Sequence, residues 1–137
     1  MKSKILLASI LLFISGLFSF SPPLVGEPVP GAEVFVELEP DDEPIANVQT
    51  NNEGEFIFSF PSGIKVPEVG TLSITITPPK NLLQSKEKRF AGMEKQTITV
   101  PFNKKNGSKF KFVLIWDSTL KTKSNKGGFA VSGRNNA

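Results

Sequence analysis

Gly26-Glu27-Pro28-Val29-Pro30-Gly31-Ala32-Glu33-Val34-Phe35-Val36, and then Val48-Gln49-Thr50-Asn51-Asn52-Glu53-Gly54-Glu55-Phe56-Ile57-Phe58-Ser59-Phe60, decide how this chain folds. Apolar residues recur at every second position in both runs, which is the period of a half-buried strand. Over Ala32–Glu39 this turns Val34, Val36 and Leu38 inward and Glu33, Phe35, Glu37 and Glu39 outward. Pro28 and Pro30 keep the lead-in extended, and Gly31 permits a close bend. Asn51-Asn52-Glu53-Gly54 is a tight turn, because Asn tolerates positive φ and Gly adopts it freely. Beyond it, Phe56, Phe58 and Phe60 share one face of a strand over Glu55–Phe60.

The same period governs the rest of the chain. Ile45–Thr50 is a strand after the turn Pro40-Asp41-Asp42-Glu43-Pro44, and Thr71–Thr77 aligns Leu72, Ile74 and Ile76. Pro78-Pro79 ends that strand, since proline supplies no ladder N–H. Gln96–Phe102 aligns Ile98, Val100 and Phe102. Lys109–Asp117 points Phe110, Phe112, Leu114 and Trp116 inward and carries Val113 and Ile115 on its other side. A central strand buried on both faces reads this way. A last strand is expected at Gly128–Arg134, and one or two helical turns within Asn81–Met93, around Leu82, Leu83 and Phe90. Seven short strands with regular turn signals predict an all-β, seven-stranded Greek-key sandwich of two sheets over residues 27–137.

The pattern Gly26-x-Pro28-Val29-Pro30-Gly31-Ala32-x-Val34-x-Val36, with Thr50-Asn51-x-x-Gly54-x-Phe56-x-Phe58, resembles the carboxypeptidase regulatory-like domains. These share the transthyretin (prealbumin-like) sandwich and are related in outline to the B-type repeats of collagen-binding surface proteins. Asn51 stands where the family usually shows Asp, and either residue suits the turn. The resemblance covers residues 26–60 and implies an extracytoplasmic binding or scaffolding module. Independently of it, the Pro, Gly and Asn residues of the motif are explained by backbone geometry rather than by a ligand.

Met1-Lys2-Ser3-Lys4 precedes an apolar run, Ile5–Phe20, and then a Pro-rich stretch. That layout is expected of a secretory signal peptide over residues 1–26, with an uncleaved membrane anchor as the alternative. A lipid-modified junction is excluded because the chain has no Cys. Nor can disulfides stabilise it, although about 110 residues suffice for a modest core without them. A Cys-free exported domain points to a bacterial envelope, in a secreted, periplasmic or cell-surface setting.

The net charge of +3 conceals a segregation. Glu27–Glu55 holds nine acids and no base, whereas residues from Phe56 onward hold fourteen Lys or Arg against four acids. Two arrangements follow: opposite charges facing each other or solvating the sandwich, and a basic surface for an anionic partner.

The chain contains no His, Cys or Tyr. Triads built on an imidazole base and zinc sites of the usual ligands are therefore excluded. The transthyretin-shaped hydrolases that depend on His, and the intradiol dioxygenases that depend on Tyr and His, are excluded with them. Paired carboxylates remain for acid–base work. Asp41, Asp42 and Glu43 lie in one turn and Glu53 and Glu55 by another, at opposite ends of a strand and roughly 20 Å apart. They cannot share one site. A calcium ion in either turn is the remaining cation possibility, set against a solvated turn, and Asn51–Glu55 lacks the regular Asp spacing of a calcium loop. An internal Lys–Asn cross-link of the collagen-binding repeats needs an early core-facing Lys, and the first base after Lys4 is Lys65. No cofactor or metal is expected, and the chain reads as no enzyme.

Partner surfaces are sought outside the motif. Phe35 and Ile57 project outward, as local packing or as a protein contact beside an edge strand. If consecutive strands alternate in direction, one end gathers the lead-in, the Asn51–Gly54 turn, Pro78–Lys95 and Leu120–Gly127. That end collects Lys80, Lys86, Lys88, Arg89, Lys95, Lys121, Lys123 and Lys126. Such a cluster suits an anionic surface or glycan, or a membrane if the leader is retained. Nucleic acid is not expected, because the lysines lack interleaved aromatics. Trp116, a carbohydrate-stacking candidate in isolation, is assigned to the core by its register. The expected function is recruitment of an envelope or extracellular protein partner, the alternative a carbohydrate- or ligand-binding accessory module.

Overall fold

The computed structural model describes residues 26–120 and 127–136. The expected leader and Lys121, Lys123 and Lys126 lie outside the described residues. Strands form where the period-two runs are: β2 Glu33–Leu38, β3 Glu43–Gln49, β4 Glu55–Ser59, β5 Val69–Thr77, β6 Gln96–Asn103, β7 Lys109–Asp117 and β8 Gly128–Asn136. The extended lead-in adds a two-residue strand, β1 Glu27–Pro28, paired to Trp116 and Ile115. β3 begins two residues earlier than the alternation indicates. Pro44 is tolerated there because β3 is an edge strand, whose outer side makes no ladder.

All pairings are antiparallel, and they make two sheets. One has the order β3-β2-β5-β6, here the β2 sheet. In the other, the β7 sheet, β7 has β8 along one side and β4 and β1 along the other. β7 is thus central, as its composition demands. Its first half is one-sided, with Lys109 and Lys111 exposed between Phe110 and Phe112; Leu114, Ile115 and Trp116 are buried in succession. The chain at Gly26 covers the outer side of Ile115: a methyl group added to that glycine would lie 2.7 Å from Ile115 Cγ2.

The core between the sheets is the inward row of each strand. Val34, Val36, Leu72, Ile74, Ile76 and Leu114 are fully buried, and the phenylalanines fill the middle. Phe58 stacks on Phe110 at 4.8 Å, and Phe60 and Phe102 meet Phe110 edge-on at 5.3 and 6.1 Å. Such pairs add to the burial term about 0.5–1.5 kcal/mol each. Trp116 is buried against Phe129 at 5.0 Å.

Strand direction sorts the connections into two ends. The proximal end carries the lead-in, the turn at 51–54 and residues 78–95; the distal end carries the turns at 39–42, 60–68 and 104–108. The helical content expected in 81–93 is one short helix, α1 Lys80–Leu83, and a 3-10 turn at Lys88–Phe90. Leu82 and Phe90 pack on the core from above, and Met93 is buried.

Candidate functional site

Phe35 and Ile57 both point outward as read, but on opposite outer faces. Phe35 lies half-buried on the β2 sheet, in a row with Asn47, Thr75 and Thr97. Ile57 lies 47% exposed on the β7 sheet, opposite Lys111. They cannot form one patch. Lys86, Lys88 and Arg89 stand exposed together at the proximal end.

Arg89 is tied into the fold. Its guanidinium donates to Glu87 and, across 62 residues of sequence, to Glu27, and it lies 4.5 Å from the centre of the Phe90 ring. Its carbonyl accepts the Trp116 indole N–H at 2.6 Å. That bond satisfies the one polar atom of the buried indole. Trp116 is therefore core, and Arg89 latches residues 80–95 over the lead-in. Exposed ion pairs are individually worth little, about 0–1 kcal/mol, so the latch rests mainly on the indole bond and the packing of Phe90.

The charge segregation of the sequence becomes a division by element. Among the described residues, the strands of the β2 sheet contain Glu33, Glu37 and Glu43 and no Lys or Arg. Glu33 and Glu37 make no ion pair there. At the distal turn, Glu39 hydrogen-bonds with Asp42, and the neighbouring charges of Asp42 and Glu37 add to the effect. Its carboxyl is thereby held above the usual range. Glu55 behaves oppositely: hydrogen bonding to Asn51 and the charge of Lys111 hold it below that range. The two carboxylate turns lie at opposite ends of the sandwich, as the spacing required. Among the described residues no group of three acidic side chains is placed to hold a metal ion.

The Asn51 side chain is engaged in the turn itself. Its Oδ1 accepts the N–H groups of Glu53 and Glu55 at 2.9 Å each, and the Gly54 N–H reaches the Asn51 carbonyl. Gly54 adopts φ +77° with its backbone against Val29, where a side chain is both strained and crowded. Thr50, buried, donates to the Val29 carbonyl at 2.7 Å and accepts from the Ala32 N–H at 2.9 Å. These bonds close the seam where the edges β3 and β4 of the two sheets meet. The motif that decides the fold is thus consumed by the fold.

The opposite seam, between edges β6 and β8, is open. Near its proximal end the Phe129 N–H donates across it to Gln96 Oε1 at 3.0 Å. Beyond that point a groove of about 350 Å³ runs between the edges, lined by Ile98, Val100, Pro101, Phe129 and Val131 among others. Ile98, Val100 and Val131 face inward yet are only half-buried. Two other depressions lie at the distal end. One, of about 330 Å³, is bounded by the acidic 39–43 turn and residues 63–67; the other, shallow, lies around the Glu68–Lys105 ion pair.

No family model, curated protein or solved structure matches this chain. The seam was not among the residues singled out by sequence, because alternation tells inside from outside but not which edge faces which. A signal was present: Pro101 marks β6 as an edge strand, and an edge row of apolar residues needs cover.

Proposed function

We propose that this chain is a non-catalytic binding or scaffolding module of the bacterial cell envelope, exported by its apolar leader, that recruits a protein partner. We further assign its sandwich to the Greek-key, transthyretin-like type of the carboxypeptidase regulatory-like domains, on the strength of the Gly26–Phe60 motif. The observation that carries the functional reading is the open β6–β8 seam. Apolar side chains of the core row are half-exposed there, between two unpaired strand edges, and such surface on a small domain marks an interaction site. The chemistry left to the chain agrees with binding. It has no imidazole, thiol or phenol, and its carboxylate turns lie at opposite ends.

A second reading, a carbohydrate-binding accessory module, draws on Phe35. Its half-buried ring lies in a row with Asn47, Thr75 and Thr97, an aromatic platform flanked by hydroxyls and an amide. In vivo photo-crosslinking from the full chain expressed in a bacterial host, with the crosslinker placed in turn at Ser132 and Thr97, separates the two. A defined protein adduct in the envelope fraction supports the first reading. Recovery of the chain in the cytosol, or glycan adducts at Thr97 alone, contradicts it.

A further inference from the structure

Four strand edges are available to a neighbour, and three are blunted. β3 carries Pro44, and its pairing with β2 shifts register between Val36 and Glu37, an irregularity that twists an edge away. β6 carries Pro101. The β4 side is five residues long, continued only by the two of β1 with Pro28. β8 differs: it is nine residues long, with neither proline nor charge from Gly128 to Gly133.

Its free hydrogen-bonding groups can be placed. The Phe129 N–H points away from β7, because it reaches Gln96 on β6. Backbone groups alternate sides along a strand, so Val131, two residues on, presents its N–H and C=O to the same open side. A strand laid along β8 would take these bonds. Its inward side chains would lie in the groove over Ile98, Val100 and Val131, and its outward ones would continue the outer row of the β7 sheet.

The charge around this edge decides the occupant. At its distal end β8 runs beside Lys109 and Lys111 of β7 and the turn holding Lys104 and Lys105. Lys104, Lys109 and Lys111 make no ion pair among the described residues except that of Lys111 with Glu55. An extended segment with acidic residues meets complementary charge at this distal end.

We infer that β8 and the β6–β8 groove receive an extended segment of a partner protein by strand addition, its residues alternately apolar and acidic. This rests on the reading of the chain as a binding module and specifies where and how it binds. Main-chain bonds to β8 supply affinity, and alternate side chains in the groove supply specificity. The lysines at its distal end select the acidic segment and make binding weaken with salt.

The test uses a fluorescent nine-residue peptide alternating valine and glutamate, titrated against the purified chain at low and high salt. Binding is expected to weaken at least tenfold when the peptide is N-methylated at every second residue, which removes its ladder donors while keeping its side chains. A lysine-for-glutamate peptide is expected to lose binding to the same extent, and so is Val131→Pro, whose missing N–H is not part of the β7–β8 ladder. An unchanged melting temperature for that variant separates lost binding from lost fold. Absence of binding at millimolar peptide overturns the proposal, as does equal binding of the N-methylated peptide. A dimer that Val131→Pro abolishes also overturns it, assigning the edge to a second copy. An envelope adduct that maps to Lys86, Lys88 and Arg89 instead of β8 would leave the module reading standing and remove this one.

Discussion

The two seams of the sandwich are built from equivalent parts and end differently. At the β3–β4 seam the chain passes directly from one sheet to the other through the 50–55 turn, so the backbone groups of Thr50, Asn51, Gly54 and Glu55 find partners close by. Thr50, Asn51 and Gly54 make the bonds, and Leu114 adds one to the Gly54 carbonyl at 2.8 Å. At the β6–β8 seam the two edges come from strands separated by all of β7 and its flanking turns. There the Gln96 side chain reaches across to the Phe129 N–H. The contrast teaches that a short connection closes a seam, because its turn chemistry is local. A seam without one must be covered by side chains or by another molecule.

The largest expected difference lies in the core behind each seam. Phe56, on β4 and 2% exposed, stacks with Phe58 and meets Phe112 at a tilt. Phe56→Ala is expected to cost about 3–5 kcal/mol in urea unfolding. Ile98→Ala, at the half-open seam, is expected to cost less than half of that, because its side chain keeps water contact when folded. Equal costs would mean that the two seams are equally closed.

Next come the bonds. Thr50→Val keeps the shape and removes both hydroxyl bonds, leaving the Ala32 N–H unpaired in a buried site. A loss of about 1–3 kcal/mol follows. Gln96→Ala removes the bond to the Phe129 N–H at the open seam, where solvent can replace it, and is expected to cost no more than about 1 kcal/mol. The smallest effect is electrostatic. Glu55, whose carboxyl is held below its usual range by Asn51 and then Lys111, stabilises the fold above the unfolded carboxylate pKa. That contribution disappears as pH falls through its lowered folded value. Glu39 has the opposite sign: its carboxyl is raised, so its ionisation at higher pH disfavours the distal turn. Glu55→Gln and Glu39→Gln are therefore expected to alter acid unfolding curves in opposite directions, both slightly because both groups are exposed.

Strand positions and inward rows were legible because alternation is a local property. Val34, Val36 and Leu38, or Leu72, Ile74 and Ile76, declare their face without reference to any other strand. Pairing is not local, and there the sequence was silent. Nothing in Gly128–Arg134 says that it lies beside β7 rather than β6, and nothing in Ile98 and Val100 says that their inward face stays half-open. Arg89 illustrates the same limit. Read alone it is one more cation of a basic end; in the fold it is bonded to Glu27, 62 residues earlier, and its carbonyl holds Trp116. The candidate pair Phe35 and Ile57 was right in direction, yet the sheet assignment that separates them to opposite faces depends on long-range partners.

Amide hydrogen exchange under native conditions compares the two seams most directly. The Thr50 and Leu114 amides, bonded to the carbonyls of Ala32 and Gly54, are expected to exchange only through global unfolding. The Val131 amide, turned to the open edge, should exchange orders of magnitude faster and slow down when the valine–glutamate peptide is added. Protection of Val131 equal to that of Thr50 in the free chain would contradict the open seam and, with it, the site proposed for the partner.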